Sequence, residues 1–195
     1  SSGHDWYHIQ RVWKLTQQIA AREGANLEIA ELGALVHDIA DWKFCAGDET
    51  VGPREARRLL SDEGVPGDVI EAVADIVATI SFKGAGVTTA MKTLEGQCVQ
   101  DADRLESLGA MGIARAFVYS GKHDDKIYDP GIPPMELVSH DQYRNHEETT
   151  INHFYEKLFK LEGMMNSRAA QKEARRRTEY MRDFVREFRH EWDLD

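Results

Sequence analysis

The stretch Val36-His37-Asp38-Ile39-Ala40-Asp41 is the segment around which we interpret the whole chain. It ends an apolar helical run that starts at Ile29. An imidazole next to a carboxylate offers the mixed nitrogen and oxygen ligands that suit Mn²⁺, Fe²⁺, Ni²⁺, Co²⁺ or Zn²⁺. Burial of such a pair without a metal or hydrogen-bond partners would be costly. An isolated His-Asp pair is more simply interpreted as two polar residues at a solvent-facing helix end. A metal site would require further ligands from other parts of the chain.

Two other stretches supply those ligands. The first is HDWYHIQRV at 4–12, and the second is VQDADRLE at 99–106. His8 stands at the end of a helical apolar stripe, where a lone histidine is more often a core residue than a ligand. In chain order, His8, the His37-Asp38 pair and Asp103 give the pattern H…HD…D. This order favours one metal site built from three separate segments.

The pattern resembles the HD superfamily of metal-dependent phosphohydrolases. The phrases HDWYHIQRV, HDIADWKF, TLEGQCVQDADRLESLGAMGIARAF and YDP, in this order, are similar to a bacterial subgroup of small stand-alone HD hydrolases. Some members of that subgroup are nucleotide pyrophosphohydrolases. The resemblance covers most of the chain, from about His4 to past Asp129. It implies one divalent metal ion, with Mn²⁺ favoured over Ni²⁺, Co²⁺, Fe²⁺, Mg²⁺ or Zn²⁺, held by His8, His37, Asp38 and Asp103.

Asp101 competes with Asp103 for the role of ligand. Two positions apart on a helix, the two side chains point about 200° apart, so both are not expected to bind one ion. The resemblance assigns the ligand to Asp103, which precedes the Arg-Leu pair. We expect Asp101 to make an exposed ion pair with Arg104, or to hold a ligand in place without touching the metal.

The resemblance also implies a catalytic acid. Asp41 follows Asp38 by three residues and faces the same side if the helix continues. An acid at this position often orients the attacking water or protonates the leaving group, and Asp38 is counted as catalytic with it. The alternative for Asp41 is a solvent-facing acid at the helix end.

Substrate phosphates need cations. The candidates are Lys43, Lys83, Arg104 and Lys122, although a lone lysine is more often an ordinary surface residue. The glycines near Lys83 form either a simple turn or a phosphate-binding loop. Trp6, Tyr7 and Trp42 flank the ligands and are expected to pack in the core or to stack on a base.

The interval between Asp38 and Asp103 contains no histidine. HD relatives that bind two metals commonly take extra histidine ligands from this interval. We therefore expect one tightly held ion. Cyclic-dinucleotide phosphodiesterases and di-iron oxygenases of this family use two metals. The lack of histidines between Asp38 and Asp103 therefore puts both activities in doubt for this chain.

Composition sets the broad class. The chain has 195 residues, of which 42% are hydrophobic and 30% charged, which is typical of a globular protein. Its net charge of −10 argues against nucleic-acid binding. No apolar run approaches membrane-spanning length, no signal-peptide pattern opens the chain, and Cys45 and Cys98 indicate no disulfide framework. We expect a cytoplasmic protein with no membrane partner, upstream residues before Ser1, and a chain that could form a homodimer.

Helical periodicity dominates the sequence, and no convincing strand alternation is present. We predict an all-α, single-domain HD-type bundle over residues 1–195, with the metal motifs within 4–106 and C-terminal helices within 146–192 packed on the same domain. Gly24 is expected to end the first helix and Asn26 to cap a second that reaches Ile39. The Arg175-Arg176-Arg177 cluster is expected on a solvated face.

The predicted reaction is metal-assisted hydrolysis of a nucleotide phosphate bond. Cleavage of a nucleoside triphosphate to the monophosphate and pyrophosphate is the first choice, and a 5′-nucleotide phosphomonoesterase is the second. A different class is a non-catalytic module that senses a nucleotide through the metal pocket. A structural metal protein is a further alternative, whose site should be closed to water.

Overall fold

The computed structural model of the protein describes residues 5–40, 48, 50–80, 91–135 and 149–193. These residues hold eight α-helices, one 3₁₀-helix and no strand, which confirms the predicted all-α class. The helices are α1 (Trp6–Glu23), α2 (Leu27–Val36), α3 (Val51–Asp62), α4 (Gly67–Thr79), α5 (Leu94–Glu106), α6 (Gly109–His123), α7 (Thr150–Glu156), the 3₁₀-helix (Leu158–Met164) and α8 (Arg168–Asp193). Among the described helices, none combines the length and apolar character that crossing a membrane requires.

Internal packing divides the chain into two compact units. The first contains α1 to α4 and the part of α5 that ends at Asp103. The second begins at Arg104 in the same helix and contains α6, α7, the 3₁₀-helix and α8. The segments that carry His8, His37-Asp38 and Asp103 therefore all belong to the first unit. The single domain over residues 1–195 stays a prediction.

Helix α1 has a defined start and end. The carboxylate of Asp5 accepts a hydrogen bond from the backbone N–H of His8 at 3.0 Å, which caps the first turn. Gly24 ends the helix in the left-handed conformation with φ 76°, as predicted, and its N–H donates to the carbonyl of Ala20 at 2.9 Å. The cap fixes the backbone of His8, which faces the interior together with Val12.

Helix α2 is shorter than the sequence predicts. Asn26 caps it as expected, since its side-chain oxygen accepts hydrogen bonds from the N–H groups of Glu28 and Ile29. The predicted end at Ile39 is wrong, because regular helix stops at Val36 and residues 37–40 form a turn. His37 and Asp38 therefore lie at the end of the helix, where side chains can converge with those of other segments.

Close helix packing brings α2 against α4 and α5. A Cβ atom added at Gly33 would lie 3.2 Å from a methyl of Ile76 and 3.4 Å from a methyl of Val99. Only a glycine lets the three helices approach this closely without a shift of their side chains. A buried core in the same unit joins α2, α3 and α4 through Val36, Ala56, Leu60, Ile70, Val73 and Val77.

The second unit is built around three aromatic rings from different helices. Phe117 of α6 lies 6.4 Å from Phe154 of α7 and 5.9 Å from Phe184 of α8, between ring centroids. Phe154 and Phe184 are stacked at 6.0 Å. Such contacts stabilise the packing of all three helices.

The expectation that Arg175-Arg176-Arg177 forms one solvated face is wrong for its last residue. Arg177 is largely buried, and its guanidinium donates to the backbone carbonyl of Leu105 at 2.7 Å. Its side chain also lies against Gly109, where an added Cβ would approach it to 3.2 Å. Arg177 thus ties α8 to the end of α5, whereas Arg175 and Arg176 are exposed as expected.

We expect the stability of the protein to depend on pH through Glu173. Hydrogen bonds from Arg176 and Arg177 lower the pKa of this carboxyl from 4.5 to about 2, although partial burial opposes the shift. A pKa that is lower in the folded state stabilises the fold above the unfolded value, and this contribution is lost as the pH falls through the folded value. Glu173→Gln should therefore lower Tm at neutral pH and approach the wild-type Tm near about pH 2. Thermal unfolding across the acid range measures this, and a Tm difference that does not change with pH would contradict it.

Candidate metal centre

Two buried histidines form the inner wall of the site. The side chains of His8 on α1 and His37 after α2 are 0% and 1% exposed. Their ring centroids lie 5.4 Å apart with an angle of 66° between the ring planes. The two imidazoles therefore approach each other edge to face instead of stacking, and both Nε2 atoms point towards the same carboxylates.

Two carboxylates face these nitrogens. An oxygen of Asp38 lies 3.4 Å from the Nε2 atoms of both His8 and His37. An oxygen of Asp103 on α5 lies 3.6 Å from Nε2 of His8 and 3.9 Å from Nε2 of His37. The structure thus brings together the four residues of the predicted H…HD…D pattern.

These separations fit ligands of a single ion. Metal–ligand bonds of about 2.1 Å place neighbouring ligand atoms about 3 Å apart and opposite ones about 4.2 Å apart. The four observed distances fall between these two values. Ligand atoms of His8, His37 and Asp38 all lie within 4.8 Å of one another, whereas Asp103 is outside this group and approaches it through the two histidines. The cluster could hold a divalent ion with nitrogen and oxygen ligands.

The ring of His37 is oriented by the end of its own helix. Its Nδ1 lies 2.7 Å from the carbonyl oxygen of Ala34, one of the carbonyls that a helix end leaves without an intrahelical partner. Since a carbonyl only accepts, Nδ1 carries the proton and donates it. In the neutral ring Nε2 then presents a lone pair, and among the described residues this buried atom has no hydrogen-bond partner. A metal ion would satisfy it, as in many histidine sites where the second ring nitrogen is held from behind.

The structure separates the two acids of α5. Asp103 is the one that faces the histidines, and 39% of its side chain is exposed. The expectation that Asp101 is exposed is wrong, because Asp101 is fully buried at 0%, and its ion pair with Arg104 stays a prediction. The helical repeat explains why only one of them reaches the histidines, since residues two apart point to nearly opposite sides.

The structure gives less information about the predicted catalytic and phosphate-binding residues. Asp41, Lys43 and Lys83, and also Trp42, lie outside the described residues. Arg104 is buried in the second unit, and its guanidinium donates to the backbone carbonyl of Met164. Lys122 was expected in a loop, yet α6 extends to His123 and includes it as an exposed residue. The proposed phosphate-binding roles stay predictions.

Two features near His8 go beyond the sequence-based predictions. Asp5 caps α1, and an acid directly before a helical stripe is a recognisable cap signal. The N–H of His8 donates to it, and this hydrogen bond holds the pKa of Asp5 below its usual value. Trp6 and Tyr7 do not pack in the core, since they are 61% and 66% exposed. Two aromatic rings are therefore exposed directly before a buried metal-ligand candidate.

The chain is similar to a known protein family and to several known proteins. The family model described as HD domain matches residues 5–108. The protein YpgQ of Bacillus subtilis (strain 168) is 36% identical over 190 residues, which cover 96% of this chain and 83% of YpgQ.

Three solved structures share the fold over nearly the whole chain. A Lactobacillus plantarum protein has a TM-score of 0.84 at 42% identity, with 100% of this chain and 90% of that chain covered. An HD-superfamily hydrolase from Bacillus thuringiensis has a TM-score of 0.78 at 40% identity, with 99% and 88% covered. Bacillus subtilis YpgQ in complex with ADP has a TM-score of 0.77 at 33% identity, with 98% and 91% covered.

Proposed function

The chain belongs to the HD domain family and is a metal-dependent phosphohydrolase, and from this premise we propose that it hydrolyses nucleoside triphosphates to monophosphates and pyrophosphate. The metal ligands in this proposal are His8, His37, Asp38 and Asp103. One ion is proposed, because the chain between Asp38 and Asp103 lacks the histidines from which a second site is commonly built.

The observation that carries the proposal is the uneven exposure of the four side chains. The histidines are buried at 0% and 1%, whereas the carboxylates of Asp38 and Asp103 are 18% and 39% exposed. A structural metal site is closed by protein ligands on all sides. Here the carboxylate side is open to solvent, so water and a substrate oxygen can approach. This supports a hydrolytic site over a structural one.

When bound, a divalent ion supplies a Lewis acid that makes water more acidic and polarises a phosphoryl group. The chain must orient the water, hold the phosphates and protonate the leaving group. The buried imidazoles exclude solvent from one side, and the carboxylates of Asp38 and Asp103 can accept hydrogen bonds from an approaching water. Asp41 is proposed to complete this step as the acid or base.

A nucleotide substrate has two lines of support. Bacillus subtilis YpgQ has been solved in complex with ADP, so a relative of this chain holds a nucleotide. Trp6 and Tyr7 expose large aromatic surfaces within two residues of His8. Aromatic faces stack on nucleobases with little dependence on which base is present. We propose that the base lies near these rings while the phosphates lie near the carboxylates.

The test is a panel of nucleoside mono-, di- and triphosphates incubated with Mn²⁺, Co²⁺, Ni²⁺ or Mg²⁺. We expect pyrophosphate and monophosphate from triphosphates, and both products must be resolved from inorganic phosphate. Release of phosphate alone from monophosphates would replace the proposal with the phosphomonoesterase alternative. Nucleotide binding without turnover under any metal would favour the sensing module.

Tyr7→Ala is expected to weaken nucleotide use without harming the phosphate chemistry. Loss of one base-stacking ring costs about 1–3 kcal/mol, which corresponds to a KM that is roughly 5- to 150-fold higher. Inorganic tripolyphosphate, which has no base, serves as the matched substrate. Its hydrolysis should be the same in Tyr7→Ala and the wild type. An unchanged KM for the nucleotide, or an equal loss on both substrates, would contradict stacking at Tyr7.

The predicted homodimer and cytoplasmic location stay predictions. The proposed phosphate-binding cations, Lys43, Lys83, Arg104 and Lys122, have the same status. The lysine side chains would offset the charge of a triphosphate on a chain whose net charge is −10. We expect Lys43 and Lys83 to affect KM more than kcat if they hold ground-state phosphate. By contrast, Arg104 is buried and already donates to the carbonyl of Met164.

A further inference from the structure

The proposed metal ligands come from α1, from α5 and from the turn after α2, so the geometry of the site depends on how these helices are held together. His8 lies on α1, His37 and Asp38 follow α2, and Asp103 lies on α5. A metal site requires its ligands within about 0.5 Å of the productive positions. Contacts that fix one ligand-bearing helix against another can therefore control metal affinity without touching the ion.

One side-chain hydrogen bond joins α1 directly to α2. The indole Nε1–H of Trp13 donates to a carboxylate oxygen of Glu31 at 2.9 Å. Both side chains are half-buried. Indole can only donate and an ionised carboxylate can only accept, so the direction of the hydrogen bond is fixed. A hydrogen bond to an ionised acceptor is also stronger than one between neutral groups.

This bond lies close to the proposed ligands along both helices. Trp13 is five residues after His8, and Glu31 is six residues before His37. At about 1.5 Å per residue, these separations are roughly 7.5 Å and 9 Å along the helix axes. A slide or rotation of α1 on α2 would displace His8 relative to His37 and would break the bond at the same time.

A second polar contact joins α2 to α5. The backbone N–H of Asn26 donates to a carboxylate oxygen of Glu95 at 2.8 Å. This bond is exposed and lies at the start of both helices, eight residues before Asp103 on α5. Because exposed contacts contribute little and this one is farther from the ligands, the Trp13–Glu31 bond is the stronger candidate.

We propose that Trp13 and Glu31 are positioning residues that set the separation of His8 from the His37-Asp38 pair and thereby the affinity for the divalent ion. The inference rests on the proposed metal site. The Nε2-to-carboxylate distances of 3.4 to 3.9 Å lie within the range of ligand atoms on one ion. A movement of α1 on α2 would change the 3.4 Å separation of His8 from Asp38, and the Trp13–Glu31 bond opposes that movement.

The test measures Mn²⁺ affinity by titration calorimetry on folded, metal-stripped protein. Trp13→Phe keeps a large ring but removes the donor, and Glu31→Ala removes the acceptor. Each should raise the Kd about 10-fold, the low end of the effect of groups that orient metal ligands. The double variant Trp13→Phe/Glu31→Ala should be no weaker than either single one, because both changes break the same bond. Glu31→Gln keeps an acceptor and should retain a Kd near the wild-type value.

The matched control is Arg57→Gln. Arg57 and Glu71 form a hydrogen-bonded pair at 2.8 Å between α3 and α4 of the same unit, and neither helix carries a proposed ligand. Arg57→Gln should leave the Kd unchanged. Wild-type affinity in Trp13→Phe and Glu31→Ala, or an equal loss in Arg57→Gln, would overturn the positioning role while leaving the proposed function intact. A wild-type chain that binds no Mn²⁺ would instead overturn the metal site on which both proposals rest.

Discussion

His37→Ala is expected to abolish metal binding and almost all hydrolysis. His37 supplies a buried Nε2 lone pair that faces the carboxylate of Asp38 at 3.4 Å, and its ring is held in this orientation by the carbonyl of Ala34. Alanine removes both the ligand and its fixed geometry. The remaining groups, His8, Asp38 and Asp103, would bring two negative charges together with one imidazole. We expect Asp38→Ala to have the same effect.

The loss of the ion should also remove its contribution to stability. A ligand present at 100 times its Kd stabilises the folded state by about 2.7 kcal/mol, which is roughly 5–10 °C in Tm for a chain of this size. Wild-type protein should therefore melt higher with Mn²⁺ than with a chelator, and His37→Ala should melt at the same temperature in both. This comparison separates metal loss from any damage to packing caused by the substitution itself.

The matched control for this prediction is His190→Ala. His190 is an exposed histidine near the end of α8. This variant should keep the wild-type metal content, by elemental analysis, and the wild-type shift of Tm with Mn²⁺. Unchanged metal content in both His37→Ala and Asp38→Ala would show that the ion, if any, binds elsewhere.

The second large effect is expected from Asp103→Asn, with Asp101→Asn as its matched control. Asp103 places an oxygen 3.6 Å and 3.9 Å from the two Nε2 atoms, so the neutral amide would remove one charged ligand from the ion. Metal affinity should fall by more than about 100-fold, the upper end of the effect of groups that only orient a ligand, and turnover should fall with it.

Asp101→Asn makes the same chemical change two residues away, in a side chain that is fully buried and points to another side of α5. It should keep the ion and show a smaller loss, up to about 10- to 100-fold if Asp101 holds a ligand in place. Metal stoichiometry and kcat of both variants decide the matter. If Asp101→Asn lost the metal while Asp103→Asn kept it, the assignment of the motif would be displaced by two residues.

Much of the site could be predicted because short sequence patterns have direct chemical meaning. The adjacent His37 and Asp38 already formed a mixed ligand pair, and the resemblance to HD hydrolases supplied His8 and Asp103. The structure places all four together in its first compact unit. Helix ends such as Gly24 and Asn26 were predictable for a similar reason, since capping depends on local backbone geometry.

The sequence did not predict whether a given face of a helix is buried or exposed. A helical repeat shows that Asp101 and Asp103 point apart, but it does not show what covers either face. Asp101 is buried, although an exposed ion pair with Arg104 was expected. The same limit applies to Trp6 and Tyr7, since an aromatic side chain near a helix start is equally compatible with a core contact and with exposure.

Long-range hydrogen bonds are a further class that the sequence does not contain. Trp13 and Glu31 are separated by 18 positions, and no local signal pairs them. Arg177 looked like part of a solvated basic cluster, yet its partner is a backbone carbonyl far away in sequence, that of Leu105. Such contacts follow from the packing angle between helices, which side-chain periodicity determines only within broad limits.

The most direct test of the metal site is anomalous diffraction from crystals grown with Mn²⁺. We predict one strong anomalous peak within bonding distance, about 2.0–2.2 Å, of the Nε2 atoms of His8 and His37 and of carboxylate oxygens of Asp38 and Asp103. A weaker peak at an exposed acidic cluster elsewhere would not affect this result. The absence of a peak among these four residues at saturating Mn²⁺, or a peak held by other residues alone, would contradict the proposed metal centre.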